Sequence, residues 1–144
     1  MSRVDVGELG HNSAFQLTTW QERPFTGVAF ERTDGGALIY EAHYRDGSWH
    51  GPRRTWYESG QLKSEEYHYK GLRHGPVRQW DEGGQLRLEA SYRFQIVLSR
   101  KRWEADGTLS ETFTLTPDHP AYARLLRVKK RRGDPPVVTE SSFR

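Results

Sequence analysis

The sequence predicts an all-β repeat fold: a single-layer antiparallel sheet of about four stacked β-hairpins, closed at its end by one C-terminal amphipathic helix. Three observations lead there. The pattern Trp, three residues, Gly, one residue, Leu occurs as Trp56/Gly60/Leu62, Trp80/Gly84/Leu86 and Trp103/Gly107/Leu109, in steps of 24 and 23 residues. A second landmark runs in the same frame: Phe25-Thr26-Gly27, His50-Gly51-Pro52 and His74-Gly75-Pro76 space their glycines by 24 residues. Between the landmarks lie short runs rich in Tyr, Trp, Thr and Val, separated by Gly-containing turns, which is the local signature of a hairpin.

From the N-terminus, residues 1–13 are expected to be flexible, and the repeat array occupies 14–116. Phe15 to Trp20 alternates weakly and would add an edge strand. The units fall near 24–49, 50–73, 74–96 and 97–115. The first keeps Gly36 and Leu38 but has Arg32 in the Trp slot, and the last reads Val97-Leu98-Ser99 without the second-landmark Gly. Irregular end units are expected of an array, because only inner units contact a neighbour on both sides.

Within a unit the first turn is Asp34-Gly35-Gly36, Glu58-Ser59-Gly60, Glu82-Gly83-Gly84 or Asp106-Gly107, and the return turn falls at Asp46-Gly47 and at Gly71. Strand, turn, strand, turn fills the period and leaves no room for a helix. Stacking then aligns Leu38, Leu62, Leu86 and Leu109 in one row and Trp56, Trp80 and Trp103 in another, which together are the expected core. A two-strand unit advances the sheet by about 10 Å, so the ribbon should be roughly 40 Å long.

After Pro117 the character changes. Tyr122, Leu125, Leu126 and Lys129 fall at helical spacing, which predicts a helix over 117–132 that covers the exposed end or open face of the last hairpin. Residues 133–144, with Pro135-Pro136, read as a flexible tail.

Composition agrees with a thin fold. Apolar residues make up 34% of the chain and aromatic ones 12%, so it must bury wide rings in place of many aliphatic side chains. There is no Cys, which removes disulfides and thiolate metal sites and fits a reducing compartment; a cytoplasmic location is the expectation. No apolar run follows Arg3, so neither a signal peptide nor a spanning helix is expected. Residues 121–144 carry seven Lys or Arg against two acids, whereas 1–120 carry fifteen against seventeen. The basic character therefore belongs to the C-terminal segment.

Tyr44-Arg45-Asp46-Gly47, His50-Gly51-Pro52, Trp56-Tyr57-Glu58-Ser59-Gly60-Gln61-Leu62-Lys63 and Gly71-Leu72-Arg73-His74-Gly75 resemble the MORN repeat, and in particular the bacterial variant found in small antitoxin or immunity proteins. The resemblance spans about residues 24–115. It implies a sheet of stacked hairpins, a binding role, a cognate toxin as partner, and no catalytic residues. MORN proteins elsewhere also imply an alternative: a scaffold module that binds anionic lipid or organises partners at a membrane surface.

His50 and His74 recur in one slot of successive units, which marks them as structural. No His-x-His pair, His-Glu-x-x-His run or Cys completes a metal site, and no nucleophile elbow, phosphate loop or dinucleotide fingerprint occurs. Glu65 and Glu66 point to opposite faces of a strand and make poor acid/base partners. No enzyme activity, metal or cofactor is expected.

The candidate partner-binding residues are of two kinds. Trp49, Tyr57, Tyr67, Tyr69 and Tyr92 are aromatics outside the core rows, and aromatic anchors dominate interface energetics. Asp34, Glu58, Glu82 and Asp106 should form an acidic ladder along the turn edge, able to steer a basic partner. Arg53, Arg54, Arg78, Arg100, Lys101 and Arg102 form a basic strip, but the body is not net basic, which makes nucleic acid a poor candidate. Lys129, Lys130, Arg131 and Arg132 exceed what a helix C-terminus needs for charge compensation, and would be the patch for an anionic membrane surface or an acidic partner.

Overall fold

The computed structural model describes residues 1–143, so Arg144 lies outside the described residues. Four antiparallel hairpins follow one another: β5 (Gly27–Arg32) with β6 (Leu38–Arg45), β7 (Ser48–Trp56) with β8 (Leu62–Tyr69), β9 (Leu72–Trp80) with β10 (Leu86–Arg93), and β11 (Ile96–Trp103) with β12 (Leu109–Thr114). They join edge to edge into one sheet of order β1-β5-β6-β7-β8-β9-β10-β11-β12, in which β1 (Ser2–Asp5) pairs parallel to β5. The expected fold class is the observed one. The crossover from β1 to β5 carries a small second sheet made of β2 (Leu9–Asn12), β3 (Leu17–Trp20) and β4 (Arg23–Pro24).

Every first turn closes in the same way. The N–H of Thr33, Tyr57, Asp81 or Glu104 donates to the carbonyl four residues on, and the glycine at Gly36, Gly60, Gly84 or Gly107 donates back. The return turns are two-residue turns with both central φ positive, at Asp46-Gly47, Lys70-Gly71 and Phe94-Gln95. This type matches the right-handed twist of the flanking strands. The third lacks a glycine, so its two left-handed residues cost of order 1 kcal/mol each and must be held by their surroundings.

The second landmark supplies that hold. The N–H of each return turn's first residue donates to a side chain at the start of its own unit: Asp46 to Thr26 Oγ1 (2.9 Å), Lys70 to His50 Nδ1 (3.0 Å) and Phe94 to His74 Nδ1 (3.2 Å). His50 and His74 are therefore structural acceptors in a repeating tie. The fourth copy has Leu98 in this slot, because no fourth return turn follows that would need an acceptor. His74 is fully buried, and its Nε2–H donates to the carbonyl of Pro135 at 2.9 Å. His74→Ala is expected to cost about 3 kcal/mol, from a cavity plus an unsatisfied Phe94 N–H. His74→Asn, which keeps an acceptor, should recover part of it. Urea unfolding, with amide exchange read at Phe94, checks both.

The core differs from the expected Trp and Leu rows. Trp56 does sit directly opposite Leu62, Trp80 opposite Leu86 and Trp103 opposite Leu109, but these pairs close the first-turn ends and stay half-buried, and Leu109 is 49% exposed. In a single layer nothing lies over the hairpin ends. The buried clusters are Val4, Phe25, Ala29, Ala42 and Tyr44, sealed by Val6 from the turn after β1 and by Leu9 and Trp20 from the small sheet, and Val77, Leu88 and Ala90.

Both termini depart from expectation. Residues 1–13 are not flexible: β1 extends the main sheet, Val4 is 3% exposed, and β2 pairs with β3. Leu17 to Trp20 is a strand, but of the small sheet and not of the array's edge. The helix α1 (Pro120–Arg132) starts three residues later than expected, with Pro120 in its first turn and the His119 side chain capping the Ala121 N–H. The His119 ring meets Phe113 on β12, and Arg132 lies over the Phe94 ring, so the helix returns from the last strand towards the β10–β11 turn. Leu125 is buried, whereas Leu126 is 52% exposed and outside the covering stripe.

The expected flexible tail is docked. Beyond the Pro135 contact, Asp134 pairs with Arg93 at 3.2 Å, Val138 is buried, and Glu140 pairs with Arg54 on β7. Residues 134–140 thus form a strap running from the β10–β11 turn back to β7. Gly75 allows its close approach: its φ is +126°, and a Cβ there would stand 2.9 Å from Val137 Cγ1.

The candidate binding face

Strand alternation gives the sheet two different faces. On the strapped face one row of directly opposed residues runs Phe30, Glu41, Arg54, Glu65, Arg78, Glu89, Lys101, Thr112. Charge alternates along its middle, with ion pairs Arg54–Glu65 (2.7 Å) and Arg78–Glu89 (3.2 Å). On the same face the rings of His50, Tyr69, His74 and Phe94 stack in sequence at 5.2, 5.7 and 4.8 Å.

The opposite face carries the matching row Ala29, Ala42, Arg53, Glu66, Val77, Ala90, Arg100, Phe113. Among the grooves that open on it are two beside Arg53. The larger, of about 740 Å³, lies by the first turns between Tyr40, Tyr57, Lys63 and the carboxylates Glu31, Glu58 and Glu82. The smaller, of about 350 Å³, lies between Trp49, Arg53, Glu66, His68 and Arg73. Arg53 borders both. Its guanidinium lies 4.6 Å from the Trp49 ring and 5.4 Å from the Tyr40 ring, and it pairs with Glu66.

Glu66 is 7% exposed, and its second oxygen accepts from Arg73 Nε at 2.9 Å. Burial pushes the Glu66 carboxyl up, but the hydrogen bond from Arg73 and the charges around it outweigh burial and hold it below the usual range. His68 lies against Trp49, with ring centroids 5.0 Å apart, and burial pulls its pKa down to about 4. It is therefore neutral at pH 7.

The candidate aromatics divide between the two faces. Trp49, Tyr57 and Tyr92 belong to the grooved face: Trp49 Nε1 donates to Tyr44 Oη at 2.8 Å, Tyr57 Oη donates to the Trp80 carbonyl at 2.9 Å, and Arg73 lies over Tyr92. Tyr67 and Tyr69 do not join them. Tyr69 is part of the ring stack, and Tyr67 sits beside Arg54 and the strap, because the face they share is the one the chain covers with its own tail.

The acidic ladder is shorter than expected. Asp34, Glu58 and Glu82 occupy equivalent turn positions and are exposed. Asp106 lies one place further along its turn, where its carboxylate accepts the Thr108 N–H. The last period is one residue shorter, which shifts that acid out of the row.

The basic strip is compensated by acids, with Arg53 on Glu66, Arg54 on Glu65, Arg78 on Glu89, and Arg100 and Arg102 on Glu111. The four-residue cluster at the helix end is also divided. Lys129 pairs with Asp134 and Arg132 stacks on Phe94. Lys130 and Arg131 are exposed, and with Arg124 and Arg127 they make a basic stripe on α1 that no ion pair among the described residues engages.

Arg53, Glu66, His68 and Arg73 were not among the sequence candidates for partner binding. The signal for them is the comparison of copies: each stands where other copies carry an apolar or aromatic residue. Among the described residues no group of three or more His, Asp or Glu is arranged to hold a metal ion, and no helix is long and apolar enough to cross a membrane.

Residues 49–70 and 73–93, the second and third hairpins, each match the MORN repeat variant family. No curated protein and no solved structure matches the chain. MORN repeats are generally protein- or lipid-binding modules, which agrees with a sheet that keeps one grooved face clear of its own tail.

Proposed function

We propose that this chain is a non-catalytic, cytoplasmic immunity- or antitoxin-type protein that neutralises a cognate bacterial toxin by direct binding. The observation that carries this reading is the asymmetry of the sheet. One face is closed by the protein's own strap, while the other holds aromatic-walled grooves with charged rims. Glu31, Glu58 and Glu82 give the larger groove an acidic edge suited to a basic surface, and opposite charge steers the encounter and fixes its register. Trp49, Tyr57 and Tyr92 supply rigid anchoring surface on the same face.

Coexpression is the decisive test. A protein captured from the native source with the full chain as bait should arrest growth when expressed alone, and growth should return when this chain is coexpressed. Glu58→Lys with Glu82→Lys should weaken the rescue. Capture of lipid or cell-envelope components alone would defeat the reading. The exposed stripe Arg124, Arg127, Lys130 and Arg131 favours the second reading, a scaffold module on anionic lipid. Salt-sensitive cosedimentation with anionic vesicles, lost when those four residues are neutralised, would support it.

A further inference from the structure

Four polar residues around the second and third units occupy slots that hold apolar or aromatic side chains in other copies. Arg53 stands where Ala29 and Val77 stand, Glu66 where Ala42 and Ala90 stand, and His68 where Tyr44 and Tyr92 stand, each 24 residues away. Arg73 follows Phe25 and Trp49 in the same way. The sheet has no need of charge at these slots. In the flanking units they build the two buried clusters, Ala29, Ala42 and Tyr44 on one side and Val77 and Ala90 on the other. A buried ion pair is a weak source of stability compared with apolar residues of similar volume.

The set is also incompletely satisfied. His68 is 3% exposed and its Nδ1 has no hydrogen-bond partner among the described residues, and neither does the buried Nε of Arg53. Buried polar atoms without partners are costly, and two of them beside one groove make it a candidate site for a partner's polar group. Two guanidiniums face the single carboxylate of Glu66, which leaves one positive charge over.

From this we infer that the 350 Å³ groove between Trp49, Arg53, Glu66, His68 and Arg73 is a carboxylate-binding site that takes an Asp or Glu side chain of the partner protein. The inference rests on the reading that this face binds a protein, and it names what the face recognises. One carboxylate neutralises the surplus charge. A phosphate dianion would overshoot it beside the buried Glu66. The planar guanidinium of Arg73, whose side chain is 40% exposed, presents its terminal nitrogens in the geometry that a carboxylate accepts, and the Trp49 ring offers an apolar wall to the hydrocarbon stem.

The probe is N-acetyl-glutamate α-amide, a single carboxylate, titrated into the full chain while the Nε–H resonances of Arg53 and Arg73 and the His68 ring are followed by NMR. Saturable shifts at all three are expected, with Arg73→Gln weakening the affinity about tenfold or more, as loss of a charge-assisted hydrogen bond requires. Inorganic phosphate, titrated into the unaltered protein, should bind more weakly than the carboxylate. No saturable shift, phosphate binding as tight as the carboxylate, or full binding by a folded Arg73→Gln would overturn the inference. In the coexpression assay, rescue by the unaltered chain and equally by Arg73→Gln would refute the site and leave the immunity reading standing. Absence of any toxic partner would remove that reading while the titration still decides the site.

Discussion

Acidification from neutrality to about pH 4 is expected to lower the unfolding free energy by about 3 kcal/mol through His68 alone. An unfolded imidazole takes its proton near 6.5, whereas the folded His68 does so only near 4, because burial beside Trp49 penalises the charged ring. Between those values the unfolded state binds more protons. The contribution is therefore fully present above pH 6.5 and is lost as the pH falls through the window towards 4. Burial lowers the pKa of His43, His50 and His74 as well, so they add loss of the same sign. Protonating His74 would also place a proton on the Nδ1 that receives the Phe94 N–H. Urea unfolding at stepped pH measures the curve. His68→Leu should flatten it while keeping or raising stability at neutral pH, since it removes a buried atom that lacks a partner. A curve for His68→Leu as steep as that of the unaltered protein would show that the loss comes from elsewhere.

Phe25→Ala is expected to remove about 3–5 kcal/mol, the range for emptying a fully buried aromatic site, and so to take a large part of a small domain's stability. Phe25 is 1% exposed, and its ring packs at 6.2 Å on Trp20 of the small sheet and at 5.5 Å on Tyr44 of the main sheet. It also sits beneath the parallel β1–β5 pairing: a Cβ added at Gly27 would meet the Ser2 carbonyl at 2.4 Å and the Phe25 ring at 2.9 Å. The truncation should therefore loosen β1 and the small sheet before the hairpins. Amide exchange separates the two outcomes, with early loss of protection at residues 3–5 expected. Uniform loss across all four hairpins would show that the N-terminal cluster does not act as a separate cover.

The repeat was legible because its determinants are local. Turn geometry needs Gly at Gly36, Gly60, Gly84 and Gly107, and cross-strand pairing needs Trp opposite Leu, so both recur wherever a hairpin recurs. The same locality misled the choice of core. Trp56, Trp80 and Trp103 are the most conspicuous residues of each unit, yet burial depends on what lies over the sheet, and that material is Val4, Val6, Leu9 and Trp20 from a segment with no repeat pattern. The aromatic candidates follow by exclusion from the Trp and Leu rows. Alternation puts Tyr67 and Tyr69 on one strand face and Glu66 and His68 on the other, but it does not say which of the two the strap occupies.

What the sequence determined by itself was the period, the number of hairpins, the first turns, two of the three return turns and a helix after Pro117, all of which follow from residues close together in the chain. Tertiary structure alone decided which face is free. That choice rests on contacts between residues far apart: His74 with Pro135 and Arg54 with Glu140 close one face with the strap, while Phe25 with Trp20 and Tyr44 hold the small sheet over only the first unit of the other. A single carbonyl, a single carboxylate and single ring edges make these contacts, and none of them recurs with the period, so no spacing in the chain announces them. The polar cluster on the free face was encoded as a departure from the repeat, and it took the packed sheet to bring its four residues around one groove.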